Sequence, residues 1–188
     1  MVAIRTYFEQ LTPLSDQDWE IFSSKLVRET FPKKTQLLAV GQTENYLSFV
    51  ASGIVRLYIP HSENDLTFGF VFENGFVSAY DSFLTQSSSV YAVECLTKTE
   101  LWRISYRDLQ TIYKESEAGN IIGRMASEEL FLLKSKRELS LLNDSAEERY
   151  QKLFSERPEL IRQVPLKYIA SYIGVTPQAL SRIRKRIS

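Results

Sequence analysis

The residues with most chemistry to offer lie near the C-terminus, in the stretch Leu166-Lys-Tyr-Ile-Ala-Ser-Tyr-Ile-Gly-Val-Thr-Pro-Gln-Ala-Leu-Ser-Arg-Ile-Arg184. Its spacing predicts two short helices joined by a tight turn. Ile169, Ala170 and Ile173 form the inner face of the first helix, and Ala170 is small enough for another helix to approach closely. Gly174 can take the positive φ that ends that helix, and Val175 plugs the corner. Thr176 is suited to cap the second helix and Pro177 to occupy its first position, where a missing amide costs nothing. Leu180 and Ile183 then face inward, while Gln178, Ser181, Arg182, Lys185 and Arg186 face outward. This is the pattern of a DNA-binding helix-turn-helix, whose second helix enters the major groove. With Thr176 at its start, Gln178 suits an adenine edge, Arg182 a guanine, and Ser181 either a base or a phosphate; Lys185 and Arg186 suit phosphates. The plain alternative is a helical hairpin with a solvated basic end. Small Ala, turn Gly, cap Thr and exposed arginines in one register, with no acid to offset them, favour DNA.

The other reactive residue types exclude more than they suggest. Cys95 is the only cysteine and His61 the only histidine of the 188 residues, which rules out an internal disulfide and a Cys-rich metal centre. Ser/His and Cys/His hydrolases and cupin-type metalloenzymes need such residues with partners. No catalytic residue, no metal site and no cofactor is expected, and the chain does not read as an enzyme. Cys95 falls in an apolar strand-like run and reads as core, whereas His61 falls in a Pro-Ser-Asn-Asp turn and reads as surface.

A net charge of zero, 23 bases against 23 acids, argues at first against a nucleic-acid partner. The distribution says otherwise: residues 164–188 hold Lys167, Arg182, Arg184, Lys185, Arg186 and no acid, a charge of +5. That leaves 18 bases and 23 acids, or −5, on the first 163 residues.

The elements that must position this motif follow from periodicity. Apolar residues at helical spacing between Ile4 and Val27, with a Ser15/Asp18 capping pair after Pro13, predict two short helices. Between Phe31 and Ile104 the chain turns β-branched and aromatic. Strands are expected at 35–40, 46–52, 53–59, 66–72, 90–95 and 100–104, with 85–89 as a loop. Many short strands with close turns suggest an antiparallel barrel or sandwich. Helical period returns at Ser105, with a second capping pair to Asp108. A long helix at about 120–143 carries Ile121, Met125, Leu132, Leu139 and Leu142 in alternating steps of four and three. Leu130, Phe131, Leu133 and Leu141 lie off that stripe, so the helix has two surfaces to bury, and an identical helix from a second chain would cover one. Ser145 with Glu148 opens a further helix that ends before Pro158.

This order of elements resembles the CRP/FNR family of bacterial transcription regulators over nearly the whole chain. Ser145-Ala-Glu-Glu-Arg-Tyr150, Tyr168-Ile-Ala-Ser-Tyr-Ile-Gly174 and Leu180-Ser-Arg-Ile-Arg184 look like the branch common in Bacteroidetes. The resemblance implies an α+β fold: an N-terminal cyclic-nucleotide-binding-like double-stranded β-helix or jelly roll, a long dimerisation helix, and a C-terminal all-α helix-turn-helix domain. It places these at 1–117, 118–143 and 144–188. Members usually continue into a two-stranded wing, which the sequence lacks before its end at Ser188.

Cyclic-nucleotide binders of the family carry a cassette with Gly-Glu near its start, for the ribose, and Arg-Ser or Arg-Thr near its end, for the phosphate. Here Ser78-Ala79 and Ser89-Val90 stand in those places, and no base occurs from Phe76 through Thr97. A buried phosphate would lack its counter-charge. Cyclic AMP and cyclic GMP are therefore not expected as effectors. Ser78, Ala79, Tyr80, Asp81, Ser89 and Val90 line the candidate pocket for an unknown small molecule, with a collapsed pocket the alternative.

The expected function is a DNA-binding regulator that reads half-sites of double-stranded DNA as a homodimer through Ile121, Met125, Leu132, Leu139 and Leu142. RNA polymerase is a candidate further partner. A signal-peptide-like or membrane-spanning apolar run is lacking, so a cytoplasmic protein is expected. The alternative is a sensor or scaffold acting by protein contact, with a degenerate helix-turn-helix.

Overall fold

A computed structural model describes residues 1–187; Ser188, the last residue of the expected third domain, lies outside the described residues. Helices α1 (Val2–Leu11) and α2 (Asp16–Ser23) open the chain. Ser15 caps α2: its Oγ accepts from the Asp18 amide at 3.0 Å and donates to the Asp18 carboxylate at 2.5 Å. Strands β1 (Val27–Phe31), β2 (Gln36–Leu38), β3 (Tyr46–Ser52), β4 (Val55–Ile59), β5 (Leu66–Val71), β6 (Phe76–Val77), β7 (Ala92–Cys95) and β8 (Thr99–Ser105) follow, with helix α3 (Tyr80–Thr85) between β6 and β7. They form two four-stranded sheets, β1-β8-β3-β6 and β2-β7-β4-β5.

The period-two alternation of β3 and β8 explains the layering. Leu47 pairs with Ile104 and Phe49 with Trp102, so these four share one face, and Phe76 joins them opposite Phe49. That face packs with α1, α2 and the helix after β8, α4 (Tyr106–Glu115), around Ile4, Phe8, Phe22, Leu109 and Ile112. Phe8 meets Phe22 edge-on at 4.6 Å between ring centroids, the geometry that aromatic quadrupoles favour. The other face carries Val50, Leu101 and Thr99, all buried. Gly53 turns β3 into β4 at φ +101°, and a Cβ there would stand 2.6 Å from Thr99 Oγ1. Only glycine fits.

Three features differ from the sequence-based expectation. Helical spacing extended to Val27, yet β1 starts there; its alternating charges are paired across β8, Arg28 with Glu100 at 2.6 Å and Glu29 with Arg103 at 2.7 Å. Ionic cross-strand pairs hide a strand from an apolar pattern. The run after β6 holds the short helix α3, ended by Gln86 at φ 52°, where no element was assigned from the sequence before the loop expected at 85–89. A further helix, α7 (Pro158–Gln163), begins at Pro158 itself, since proline is tolerated in the first turn.

After α4 the chain runs through α5 (Glu117–Asn143), α6 (Ala146–Glu156), α7, α8 (Leu166–Tyr172) and α9 (Pro177–Ile187). Ser145 and Glu148 form a reciprocal capping box at α6, satisfying two amides that a helix start leaves open. The chain divides into two units, Met1–Tyr58 with Phe70–Glu128, and Ile59–Gly69 with Glu129–Ser188. In the second, Tyr150, Leu153, Leu160, Val164, Ile169, Ala170, Ile173, Leu180 and Ile183 are buried.

Candidate nucleic-acid interface and sensor cassette

The turn between α8 and α9 is built as its residues demand. Gly174 has φ +78°, and the Val175 amide reaches back to the Ala170 carbonyl at 2.9 Å. Thr176 Oγ1 accepts from the Ala179 amide at 3.2 Å, capping α9. Leu180 and Ile183 are buried at 1% and 4% exposure, which turns Gln178, Ser181, Arg182 and Lys185 to the exposed side of α9. Thr176 and Arg186 are exposed as well. Ser181 Oγ donates to the Pro177 carbonyl at 3.0 Å, and Arg186 reaches Glu147 at 3.0 Å. Arg182 and Lys185 project from the same side as Gln178 and Ser181, while Arg186 leans toward α6.

Two arginines fix the end of α8. Arg137 of α5 donates to the Tyr172 carbonyl at 2.7 Å and lies 3.8 Å from the centre of its ring. Burial lowers the pKa of this guanidinium from its usual value. Arg149 of α6 donates to the Ile173 carbonyl at 2.8 Å and, from Nη1, to the Asp144 carbonyl at 2.5 Å. Asp144 in turn accepts from Lys152 and Ser140, whose hydrogen bonds hold its carboxyl below the usual range. Carbonyls at a helix C-terminus attract cations, and here they orient the turn.

Along α5, Ile121 and Met125 are half-buried, while Leu132, Leu139 and Leu142 are exposed at 67%, 55% and 75%. Phe131, Leu133 and Leu141 are exposed too.

Ser78, Ala79, Tyr80, Asp81 and Ser89 are each engaged in hydrogen bonds within the protein. Ala79, the N-cap residue of α3, is fully buried and gives its amide to the Glu44 carboxylate at 3.3 Å; Tyr46 gives its amide to the same carboxylate at 3.0 Å. The Glu44 amide donates to Ser82 Oγ at 3.0 Å. Burial raises the pKa of Glu44, against a smaller opposing pull from these amides and Arg103. Ser78 Oγ donates to the Tyr46 carbonyl at 2.9 Å, and the Tyr80 hydroxyl is 3.1 Å from Ser127 Oγ of α5. Asp81 accepts from the Tyr91 hydroxyl, and burial together with this bond pushes the Tyr91 pKa up. Ser89 is buried, its Oγ donating to the Tyr91 carbonyl at 2.8 Å. Val90 is 69% exposed and stands apart from the others. Cys95 is fully buried in β7, where burial raises its thiol pKa, and His61 is exposed. Among the described residues no group of His, Cys, Asp and Glu could hold a metal ion, and no helix is long and apolar enough to cross a membrane.

Glu44 was not among the residues singled out from sequence. It sits in a Gly-Gln-Thr-Glu-Asn turn, where an acid is ordinary, and nothing in the spacing shows that it reaches α3.

Two four-stranded sheets with a short helix between β6 and β7 are followed by a long helix and a helical C-terminal part. Residues 28–116 match the family described as the cyclic nucleotide-binding domain, and the chain has the fold of CRP/FNR-type transcription regulators. It is similar to the c-di-GMP responsive global regulator CLP of Xanthomonas campestris: 21% identity, 92% of this chain and 91% of that one covered, TM-score 0.70. A putative transcriptional regulator of the crp/fnr family from Eubacterium rectale shares 18% identity over 92% of this chain and 83% of its own, at TM-score 0.71. FixK2 from Bradyrhizobium japonicum shares 17% over 86% and 84%, at 0.69. No curated protein matches the sequence. The first two of these structures are described as regulators.

Proposed function

We propose that this chain is a sequence-specific, DNA-binding transcription regulator that acts as a homodimer in the cytoplasm. The observation that carries this reading is the composition of α9: Gln178, Ser181, Arg182 and Lys185 on its exposed side, Leu180 and Ile183 buried behind them. The groups turned outward are donors that read base edges and neutralise phosphates. Residues 144–188 are the DNA-reading part, 118–143 the dimerisation helix, and 1–117 the sensor. A second copy of the chain covers Leu132, Leu139 and Leu142, with Ile121 and Met125 continuing the seam toward the sensor.

The sensor does not answer to cyclic AMP or cyclic GMP. Ser89 and Val90 offer no positive charge, and the Glu44 carboxylate already occupies the Ala79 amide.

Fluorescence anisotropy against pooled genomic duplexes at two salt concentrations tests the reading. A regulator of this kind binds at micromolar dimer or tighter and loses affinity steeply as salt rises. Absence of salt-dependent binding would replace it with a scaffold acting through protein contacts.

A further inference from the structure

The end of α8 is held from a third direction besides Arg137 and Arg149. Ser171 Oγ accepts the Thr67 amide hydrogen at 2.7 Å and donates its own hydrogen to the Asp65 carbonyl at 2.5 Å. Both groups belong to the tip of the β4–β5 hairpin, residues 59–69, which forms one unit with the helices from Glu129 onward. A carbonyl at one position and an amide two residues on point to the same side of an extended chain. They are the two groups that one residue of a parallel neighbouring strand engages. β5 stands at the end of its sheet, and the Ser171 hydroxyl takes a place beside it. Thr67 is fully buried, and Lys134 of α5 lies 5.1 Å from the centre of the Phe68 ring.

Three consecutive residues, Ser171, Tyr172 and Ile173, are thus tied to three different elements: the hairpin, α5 and α6. Only Gly174, Val175 and Thr176 separate them from α9. α8 packs against α9, and Ala170 of the one and Leu180 and Ile183 of the other are buried, so a tilt of α8 is expected to carry α9 with it.

We propose that the β4–β5 hairpin tip is a working part of the DNA-reading unit, and that Ser171 is the positioning residue through which it sets the presentation of α9. This rests on the DNA-binding reading above.

The full chain is tested as Ser171→Ala and Ser171→Thr against two duplexes of equal length, one selected by the wild type from a random pool and one unrelated. Ser171→Ala leaves the charge of α9 untouched. It is expected to lose about tenfold or more on the selected duplex and to stay within about twofold on the unrelated one, with the salt dependence unchanged. Amide exchange at Thr67 accelerates, and Ser171→Thr, which keeps the hydroxyl, recovers both. Circular dichroism checks the fold. Should the alanine variant unfold, Ser171→Cys, a weaker donor and acceptor, gives an intermediate loss on the selected duplex. Faster Thr67 exchange with unchanged discrimination between the duplexes overturns the proposal and leaves the DNA reading standing. A wild type that binds neither duplex overturns both.

Discussion

The amide of Ala79, which opens helix α3, is spent on the carboxylate of Glu44, 35 residues earlier in the chain. A carboxylate from inside the protein thus fills the position where α3 meets the turn before β3. Arg103, the cation nearest in effect, has Nη1 committed to Glu29 at 2.7 Å, with its guanidinium 3.8 Å from the centre of the Tyr46 ring. A cyclic phosphate entering here would meet Glu44 and Asp81 with no base between Phe76 and Thr97 to offset them. Isothermal titration with cyclic AMP or cyclic GMP should therefore give no heat of binding. Micromolar binding of either would contradict the assignment of Glu44 as the resident anion.

Glu44 also sets a pH dependence. Burial raises its folded pKa, while the unfolded chain keeps the ordinary value, so the unfolded state holds fewer protons between the two. The contribution of Glu44 to stability is then fully present below the unfolded value and declines as pH rises through the folded one. Against Glu44→Gln, which does not titrate, wild-type stability should fall as pH rises above the ordinary carboxylate range, whatever the constant offset between the two proteins. Urea unfolding of both from that range upward measures it. A difference that is flat or rises with pH would show that the amides of Tyr46 and Ala79, with Arg103, outweigh desolvation.

Arg137 ties the long helix α5 to the end of α8. Its hydrogen bond to the Tyr172 carbonyl and its place over the Tyr172 ring should together make Arg137→Ala cost about 2 kcal/mol. Equilibrium denaturation gives the value, and a loss under about 0.5 kcal/mol would reduce the pair to a surface contact.

The hairpin of α8 and α9 was readable because each position demanded its residue for a local reason: positive φ at Gly174, a cap at Thr176, burial at Leu180 and Ile183. The Ser145–Glu148 capping box was readable for the same reason. Most strands were located from β-branched runs, and the match of residues 28–116 agrees with the family resemblance. β1 escaped because its register with β8 rests on ion pairs 72 and 74 residues apart in sequence, Arg28–Glu100 and Glu29–Arg103. Glu44 with Ala79 and Ser171 with Asp65 and Thr67 escaped likewise. A side chain that satisfies a distant backbone group leaves no period behind it.

The exposed stripe of α5 predicts the assembly. Leu139 is 55% exposed in the single chain, so Leu139→Glu should leave the fold and its unfolding midpoint nearly unchanged. In a dimer joined at this stripe the same change buries a carboxylate on each side of the seam. Sedimentation velocity should then show a dimer for the wild type at tens of micromolar and a monomer for the variant. A wild-type monomer at that concentration would remove the seam.

Arg182 and Lys185 should fail in different ways. Both are exposed on α9, but Arg182 lies nearer the N-terminal half of the helix, the part that meets base edges in a major-groove helix, and Lys185 nearer its end, where phosphates pass. Arg182→Ala should cost about 1–3 kcal/mol on a selected duplex and relax the choice of base at one position of each half-site. Lys185→Ala should weaken selected and unrelated duplexes alike and lower the salt slope by about one unit for each half-site occupied. Arg186, already drawn to Glu147 at 3.0 Å, should change that slope less than Lys185 does. Titrations at several salt concentrations separate the three. Equal slopes for Lys185→Ala and the wild type would mean that Lys185 does not reach a phosphate, and would shift the backbone contact to Arg184 or Arg186.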